Sequence, residues 1–93
     1  MNLEHFKTYI KDVRGVSERT AKHYETALVT INTLLDKYQF EIPNLFSTTD
    51  ASELDKVKDF LDQNEEFQTK DTVGHRMYSV AFKHYYRFSL WYK

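Results

Sequence analysis

The sequence predicts an all-α domain, and three observations predict it. The chain contains only two Gly and one Pro, so few positions suit the tight turns of a β-sheet. Leu, Glu and Lys, which favour helices, are plentiful. Apolar residues recur at spacings of three and four, which places them on one face of a helix. We expect a single domain over residues 1–93, folded as a compact bundle of about four helices near residues 2–13, 18–38, 51–63 and 72–92.

The first two predicted helices are separated by a short turn. The apolar face of the first comprises Leu3, Phe6, Ile10 and Val13. Gly15 is expected to end this helix, and Ser17 to cap the next by accepting a hydrogen bond from a backbone N–H of the first turn. The apolar face of the second comprises Tyr24, Ala27, Leu28, Ile31, Leu34, Leu35 and Tyr38. The strict spacing makes this the clearest amphipathic helix of the chain.

Residues 39–49, which include Pro43, predict a loop whose Leu45 and Phe46 lie under the core. Thr49 or Asp50 is expected to cap the third helix. The inward residues of that helix are Leu54, Val57, Phe60 and Leu61, and its outward residues include Glu53, Asp55, Asp59 and Asp62.

The polar residues 64–71 are expected to end the third helix. The last predicted helix has an inward face of Met77, Ala81, Tyr85, Phe88 and Trp91. Gly74 would fall in its first turn, where an interruption costs least. His84 projects onto the apolar side as a hydrogen-bonded core histidine, while His23 and His75 are expected at the surface.

No residue pattern predicts catalysis. The chain has no Cys, and its four His show no metal-ligand spacing. No phosphate-binding glycine loop, nucleophile elbow or catalytic triad pattern is present. The acidic third helix lacks an accompanying base, so solvation explains its carboxylates. We expect a chain without catalytic residues, metal or cofactor. Without a long apolar stretch or a secretory signal pattern, it is expected to be cytoplasmic and away from membranes.

Charge is distributed unevenly along the chain, although the formal net charge is only −1. Residues 1–38 hold six Lys and Arg against five Asp and Glu, residues 39–71 hold three against nine, and residues 72–93 hold four against none. The sequence is therefore basic, then acidic, then basic. Binding to nucleic acid depends on such local excesses of Lys and Arg, because they neutralise phosphates.

Two basic segments are candidate DNA contacts. On the last helix, Arg76, Lys83 and Arg87 project within roughly 40° of one another at ~100° per residue, with Phe82 and Tyr86 beside them. At the first turn, cations and hydroxyls surround a helix N-terminus, which favours anions. The candidate nucleic-acid-binding residues are Arg14, Ser17, Arg19, Thr20, Lys22, Arg76, Lys83, Tyr86 and Arg87. Each segment also has a purely structural explanation. The basic residues of the last helix are consistent with a solvated helix face, and the Gly and Ser of the first turn with the end of one helix and the cap of the next.

Two motifs resemble known DNA-binding domains. The pattern F-x-x-Y-I at residues 6–10, followed by G-V-S-x-x-T-A-x-x-Y-x-x-A-L at residues 15–28, resembles the core-binding domain of phage integrases and other tyrosine recombinases. The order N-L-F at residues 44–46, an acidic helix, and G-H-R-M-Y-S-V-A-F-K-H-Y at residues 74–85 resembles the amino-terminal helical domain of HNH-type and other modification-dependent restriction endonucleases. Both resemblances imply a helical module that binds double-stranded DNA, with catalysis in a separate domain.

A second function is also consistent with the sequence. The acidic third helix could engage a basic protein partner or mimic the charge of DNA, as a protein-interaction module or a small phage-type inhibitor or adaptor would. The two hypotheses differ in which charges are essential. DNA binding requires the basic segments, whereas the alternative requires the acidic helix.

Overall fold

Five α-helices and one 3-10 turn form the regular structure within residues 2–42 and 44–92, the residues that the computed structural model describes. The elements are α1 (Asn2–Asp12), α2 (Glu18–Lys37), the 3-10 turn (Leu45–Ser47), α3 (Ala51–Gln63), α4 (Glu65–Val73) and α5 (Met77–Trp91). The all-α prediction is confirmed, and the bounds of α1, α2 and α3 agree with the sequence to within one residue. Pro43, which belongs to the predicted loop, lies outside the described residues, as does Lys93.

The expected count of about four helices is wrong because residues 64–71 do more than end α3. Asn64 ends α3, and its side chain also caps α4 by accepting a hydrogen bond from the Phe67 N–H at 2.8 Å. The Gln68 side chain donates to the Leu61 carbonyl at 2.9 Å and so satisfies the end of α3. Only Phe67 and Asp71 of α4 are buried. A helix with one buried apolar side chain has no apolar periodicity to recognise.

The last helix begins at Met77 rather than near residue 72. Gly74 ends α4, so its expected place in the first turn of the last helix is wrong. His75 and Arg76 follow with φ of 56° and 63°, the left-handed region that costs a non-glycine residue ~1–2 kcal/mol. The buried carboxylate of Asp71 accepts the Ser79 N–H at 2.9 Å and thereby caps α5 from the preceding helix. The Arg76 N–H donates to the Asp71 carbonyl at 2.6 Å, which holds the turn.

The core is centred on α5, which packs between α1, α2, α3 and α4. Phe6 of α1 contacts Tyr85 and Phe88 of α5, with ring centroids 5.5 and 5.7 Å apart. Burying such a ring stabilises the fold by about 1.5–3 kcal/mol. Val13, Tyr38 and Trp91, which were predicted on inward faces, are exposed. Val13 and Tyr38 lie beyond the ends of their helices, and Trp91 is the last residue of α5.

The segment between α2 and α3 is anchored by polar groups of other helices. Its Leu45 N–H donates to the Asn32 side-chain oxygen of α2 at 2.7 Å, and the buried Tyr85 hydroxyl of α5 donates to the Thr48 carbonyl at 3.0 Å. Leu45 and Phe46 are buried, as predicted. Asp50 is the cap of α3, accepting the backbone N–H groups of residues 52 and 53. Within the described ranges, no helix has both the length and the apolar character needed to cross a membrane.

Candidate nucleic-acid interface

Two flanks of α5 carry the candidate residues. One flank faces α2 and the turn between α1 and α2, and we call it the α2 flank. The other faces α3 and α4, and we call it the α3 flank. Lys83 and Arg87 are exposed on α5 and line the groove on the α3 flank, and both also act electrostatically on His84, which faces α2. Lys83 and Arg87 therefore have different neighbouring residues on the two flanks.

On the α2 flank, Arg14 of the first basic segment and Lys83 and Arg87 of the second all act on His84. The half-buried His84 ring lies 5.0 Å from the ring of Tyr24, centroid to centroid. Burial lowers the pKa of His84, and the nearby charges of Arg14, Arg87 and Lys83 lower it further. All of these neighbouring charges are positive, and no carboxylate is among those that shift this pKa. We call Arg14, Lys83, His84 and Arg87 the basic cluster.

His84 is neutral at neutral pH, because burial and the surrounding cations oppose its protonation. Its Nδ1 atom is buried and has no hydrogen-bond partner among the described residues. His84 lies on the side of α5 that packs against Tyr24, but the predicted core position is wrong because the ring is only half-buried, and the expected hydrogen bond is not formed at Nδ1. A neutral imidazole still has one N–H donor, so it can join the cations around an anion.

Ser17 is the N-cap of α2, as predicted. Its hydroxyl oxygen accepts the Thr20 N–H at 3.2 Å and its O–H donates to the Thr20 hydroxyl at 3.0 Å. Gly15 precedes this cap with φ of 71°, which favours glycine. Both hydroxyls are thus engaged within the turn. Their predicted contact with DNA stays a prediction, and it would have to coexist with the cap.

Lys22 belongs to a different surface from Arg14. It lines a depression between α1 and α2 whose other charged residues form two ion pairs. These pairs are Lys7 with Glu25 at 3.2 Å and Lys11 with Glu18 at 3.9 Å. Arg19 is exposed on α2. The first basic segment is therefore divided, with Arg14 near α5 and Lys22 beside carboxylates.

The second basic segment is also altered by the structure. Arg76 lies in the left-handed turn between α4 and α5. The projection that aligned it with Lys83 and Arg87 treated all three residues as part of one helix, so that alignment is wrong. Phe82, expected beside an exposed basic stripe, is 5% exposed and belongs to the core. Its burial follows from the packing of α3 and α4 against this side of α5.

The α3 flank is a groove with carboxylates on one wall. The Asp55 carboxylate lies beside the Tyr86 hydroxyl, and its interaction with that hydroxyl, together with burial, raises the pKa of Tyr86. Lys58 pairs with Asp62 at 2.8 Å on the same wall. The acidic helix thus adjoins Lys83 and Arg87 instead of facing away from them. No pattern within either helix could have indicated which acidic residue meets which aromatic one.

No group of three or more His, Asp or Glu in the described part of the chain could hold a metal ion. No protein-family model, curated protein or solved structure matches the chain. We therefore infer its function from the arrangement of its own residues.

Proposed function

We propose that this domain binds double-stranded DNA through the phosphate backbone, with the basic cluster at the centre of the interface. One observation carries the proposal. Arg14 and the α5 cations, which are far apart in sequence, act together on His84, and no carboxylate shifts the pKa of that residue. A local group of cations attracts phosphates even when the net charge of the chain is slightly negative.

Within this proposal, Arg14, Lys83 and Arg87 contact phosphates, and the neutral His84 donates its N–H to a phosphate oxygen. Arg19 and Arg76 extend the interface along α2 and the α4–α5 turn. Tyr86 has a smaller part than the sequence suggests, because its hydroxyl lies beside the Asp55 carboxylate, which would repel a phosphate. Lys22 contributes long-range attraction rather than a direct contact, since it lies on the surface shared by α1 and α2.

We further propose that the domain is the recognition module of a restriction endonuclease or a recombinase-like protein. The motifs at residues 6–28 and 74–85 support this assignment. Catalysis would then be performed by a separate domain, and this one would position it on DNA. Modified bases are the expected targets if the endonuclease resemblance holds.

The alternative proposal, a protein-interaction module that uses the acidic face of α3, has less support. Three of the carboxylates on α3 already have partners within the chain, Asp55 with Tyr86, Asp62 with Lys58, and Glu53 with the Thr48 hydroxyl. A basic partner would have to compete with these bonds. The acidic helix is therefore less available than its sequence indicates.

The experiment is a fluorescence anisotropy titration with a short duplex, methylated and unmethylated, at ~50 mM salt, where electrostatic attraction is strong. The test variant is Arg14→Gln, Lys83→Gln, Arg87→Gln. Its matched control is Lys7→Gln, Lys11→Gln, Lys22→Gln, which changes the net charge equally on the surface between α1 and α2. We expect the test variant to lose about 10–100-fold in affinity and its salt slope to flatten by ~2–3.

The control should weaken binding only a few-fold, and circular dichroism melting of both variants establishes that they are folded. Absence of binding by the unaltered chain at ~50 mM salt would contradict the proposal, because phosphate attraction is strong under that condition. Equal weakening by the two variants would place the interface elsewhere. A preference for the methylated duplex would support the endonuclease assignment.

A further inference from the structure

The groove on the α3 flank has an apolar floor and a charged rim. Leu61 of α3, Phe67 of α4 and Phe82 of α5 form the floor, and all three belong to the core. The open volume is about 530 Å³. A space of this size lies within the range of protein ligand sites and accepts one or two bulky side chains.

Both walls of the rim carry charged side chains, but only those on the α3 wall have partners within the described chain. On α3, Asp62 pairs with Lys58 at 2.8 Å and Asp55 interacts with the Tyr86 hydroxyl. On α5, neither Lys83 nor Arg87 forms an ion pair within residues 2–42 and 44–92. The groove therefore offers an apolar floor beside two cations that lack carboxylate partners within the described chain. Its chemistry complements a ligand that is both apolar and acidic.

We propose that this groove docks a short acidic peptide segment of a partner protein, with a Leu or Phe anchor inserted over the floor. Carboxylates that flank the anchor pair with Lys83 and Arg87. A peptide fits better than a phosphate backbone here, because its Leu or Phe side chain can cover the apolar floor, whereas a phosphate backbone has no apolar group to place there. The inference goes beyond DNA binding. Since both ligands use Lys83 and Arg87, the peptide and the duplex exclude one another.

The proposal is tested by NMR titration of the full ¹⁵N-labelled chain with a peptide of roughly ten residues. The peptide carries Leu and Phe at its centre and Glu at every flanking position. One control peptide replaces Glu by Lys, and the other replaces Leu and Phe by Ala. We expect amide shifts at Leu61, Phe67 and Phe82, and at least tenfold weaker binding of both control peptides.

A groove-filling substitution separates this site from the DNA interface. Ser79 lines the groove but carries no charge, so Ser79→Trp should weaken peptide binding at least tenfold while leaving duplex binding unchanged. Thr69→Trp is the matched control, because Thr69 is exposed on α4 and does not line the groove. If Ser79→Trp does not fold, Ser79→Met fills the groove with a more flexible side chain, and a smaller loss in the same direction is expected.

Three results would overturn the inference. The first is no shift at the floor residues at ~1 mM peptide, a concentration that would reveal even weak docking. The second is equal binding of the Lys-containing peptide. The third is equally tight binding of 3-phenylpropionate, which would make the groove a site for small acids. Because duplex binding and peptide binding are measured separately, and Ser79→Trp should weaken only peptide binding, failure of one proposal is distinguishable from failure of the other.

Discussion

The two flanks of α5 differ in charge although they share Lys83 and Arg87. On the α2 flank these cations join Arg14 around His84, and no carboxylate shifts the pKa of that histidine. On the α3 flank they face a wall that contains Asp55 and Asp62. The charge of a surface is therefore a property of two packed helices, and the same side chain can belong to a basic surface and to a mixed one.

Ion pairing within the domain explains the difference. The acidic residues Glu18 and Glu25 of α2 face α1, where Lys11 and Lys7 pair with them. This arrangement directs these two carboxylates of α2 toward α1. Helix α3 has more acidic than basic residues. Lys58 pairs with only one of its carboxylates, that of Asp62, and the carboxylate of Asp55 remains beside α5. Four predictions test this comparison, beginning with the largest expected effect.

Removing the cap that positions α5 should disturb both flanks. Asp71→Ala leaves the Ser79 N–H without its partner and removes a buried carboxylate from the N-terminus of α5. We expect a loss of about 2 kcal/mol in the free energy of unfolding, measured by urea denaturation. Asp71→Asn, which keeps an acceptor oxygen, should lose less. The surface control Asp59→Ala should change stability by less than ~0.5 kcal/mol, and a loss as large as that of Asp71→Ala would refute the capping role.

Placing a carboxylate on the α2 flank should make that flank resemble the other. His84→Glu introduces a negative charge next to Arg14, Lys83 and Arg87. We expect duplex affinity to fall about tenfold at ~50 mM salt, because the new carboxylate competes with phosphates for the cations. His84→Gln, which keeps a polar uncharged group, is the control. If both variants bind DNA equally, the α2 flank is not the interface.

Removing carboxylates from the α3 flank should have the opposite and smaller effect. Asp55→Asn with Asp62→Asn makes the surroundings of Lys83 and Arg87 more positive. We expect duplex affinity to rise about three- to fivefold, with Asp12→Asn and Asp36→Asn as a control of equal charge change. The pKa of Tyr86 should also fall, since Asp55 raises it, and a spectroscopic titration measures this. An equal gain in the control would show that only net charge matters.

The smallest expected effect is the pH dependence that His84 contributes to stability. Its pKa in the folded chain is lower than the ordinary value of 6.5, so the folded chain binds its proton less readily than the unfolded chain. The stability present above pH 6.5 is lost as the pH falls from that value through the lower pKa of the folded chain. Between pH 7.5 and 5.5, the urea midpoint of the unaltered chain should fall more than that of His84→Gln. A larger fall in the variant would reverse the inferred sign.

Much of the fold could be predicted because the signals that specify it are local. Ser17 and Asp50 cap their helices through bonds to residues two or three positions away, and a hydroxyl or carboxylate before an apolar repeat indicates such a cap. Leu45 and Phe46 are buried as expected, since an apolar pair in a polar loop has no favourable place in water. Less of the candidate site could be predicted. The sequence identifies the cationic residues but not the residues that lie beside them in the folded chain.

By itself, the sequence determined the all-α class, the extents of α1, α2 and α3, and the supply of cations at both ends of the chain. Only the tertiary structure decided that Asp71 caps α5 across a turn, that Arg14 lies near the α5 cations, and that Asp55 meets Tyr86. The physical reason is the range of each interaction. Caps and apolar periodicity act within a few residues of the chain, whereas the electrostatics of a surface depend on distances between helices, which packing sets.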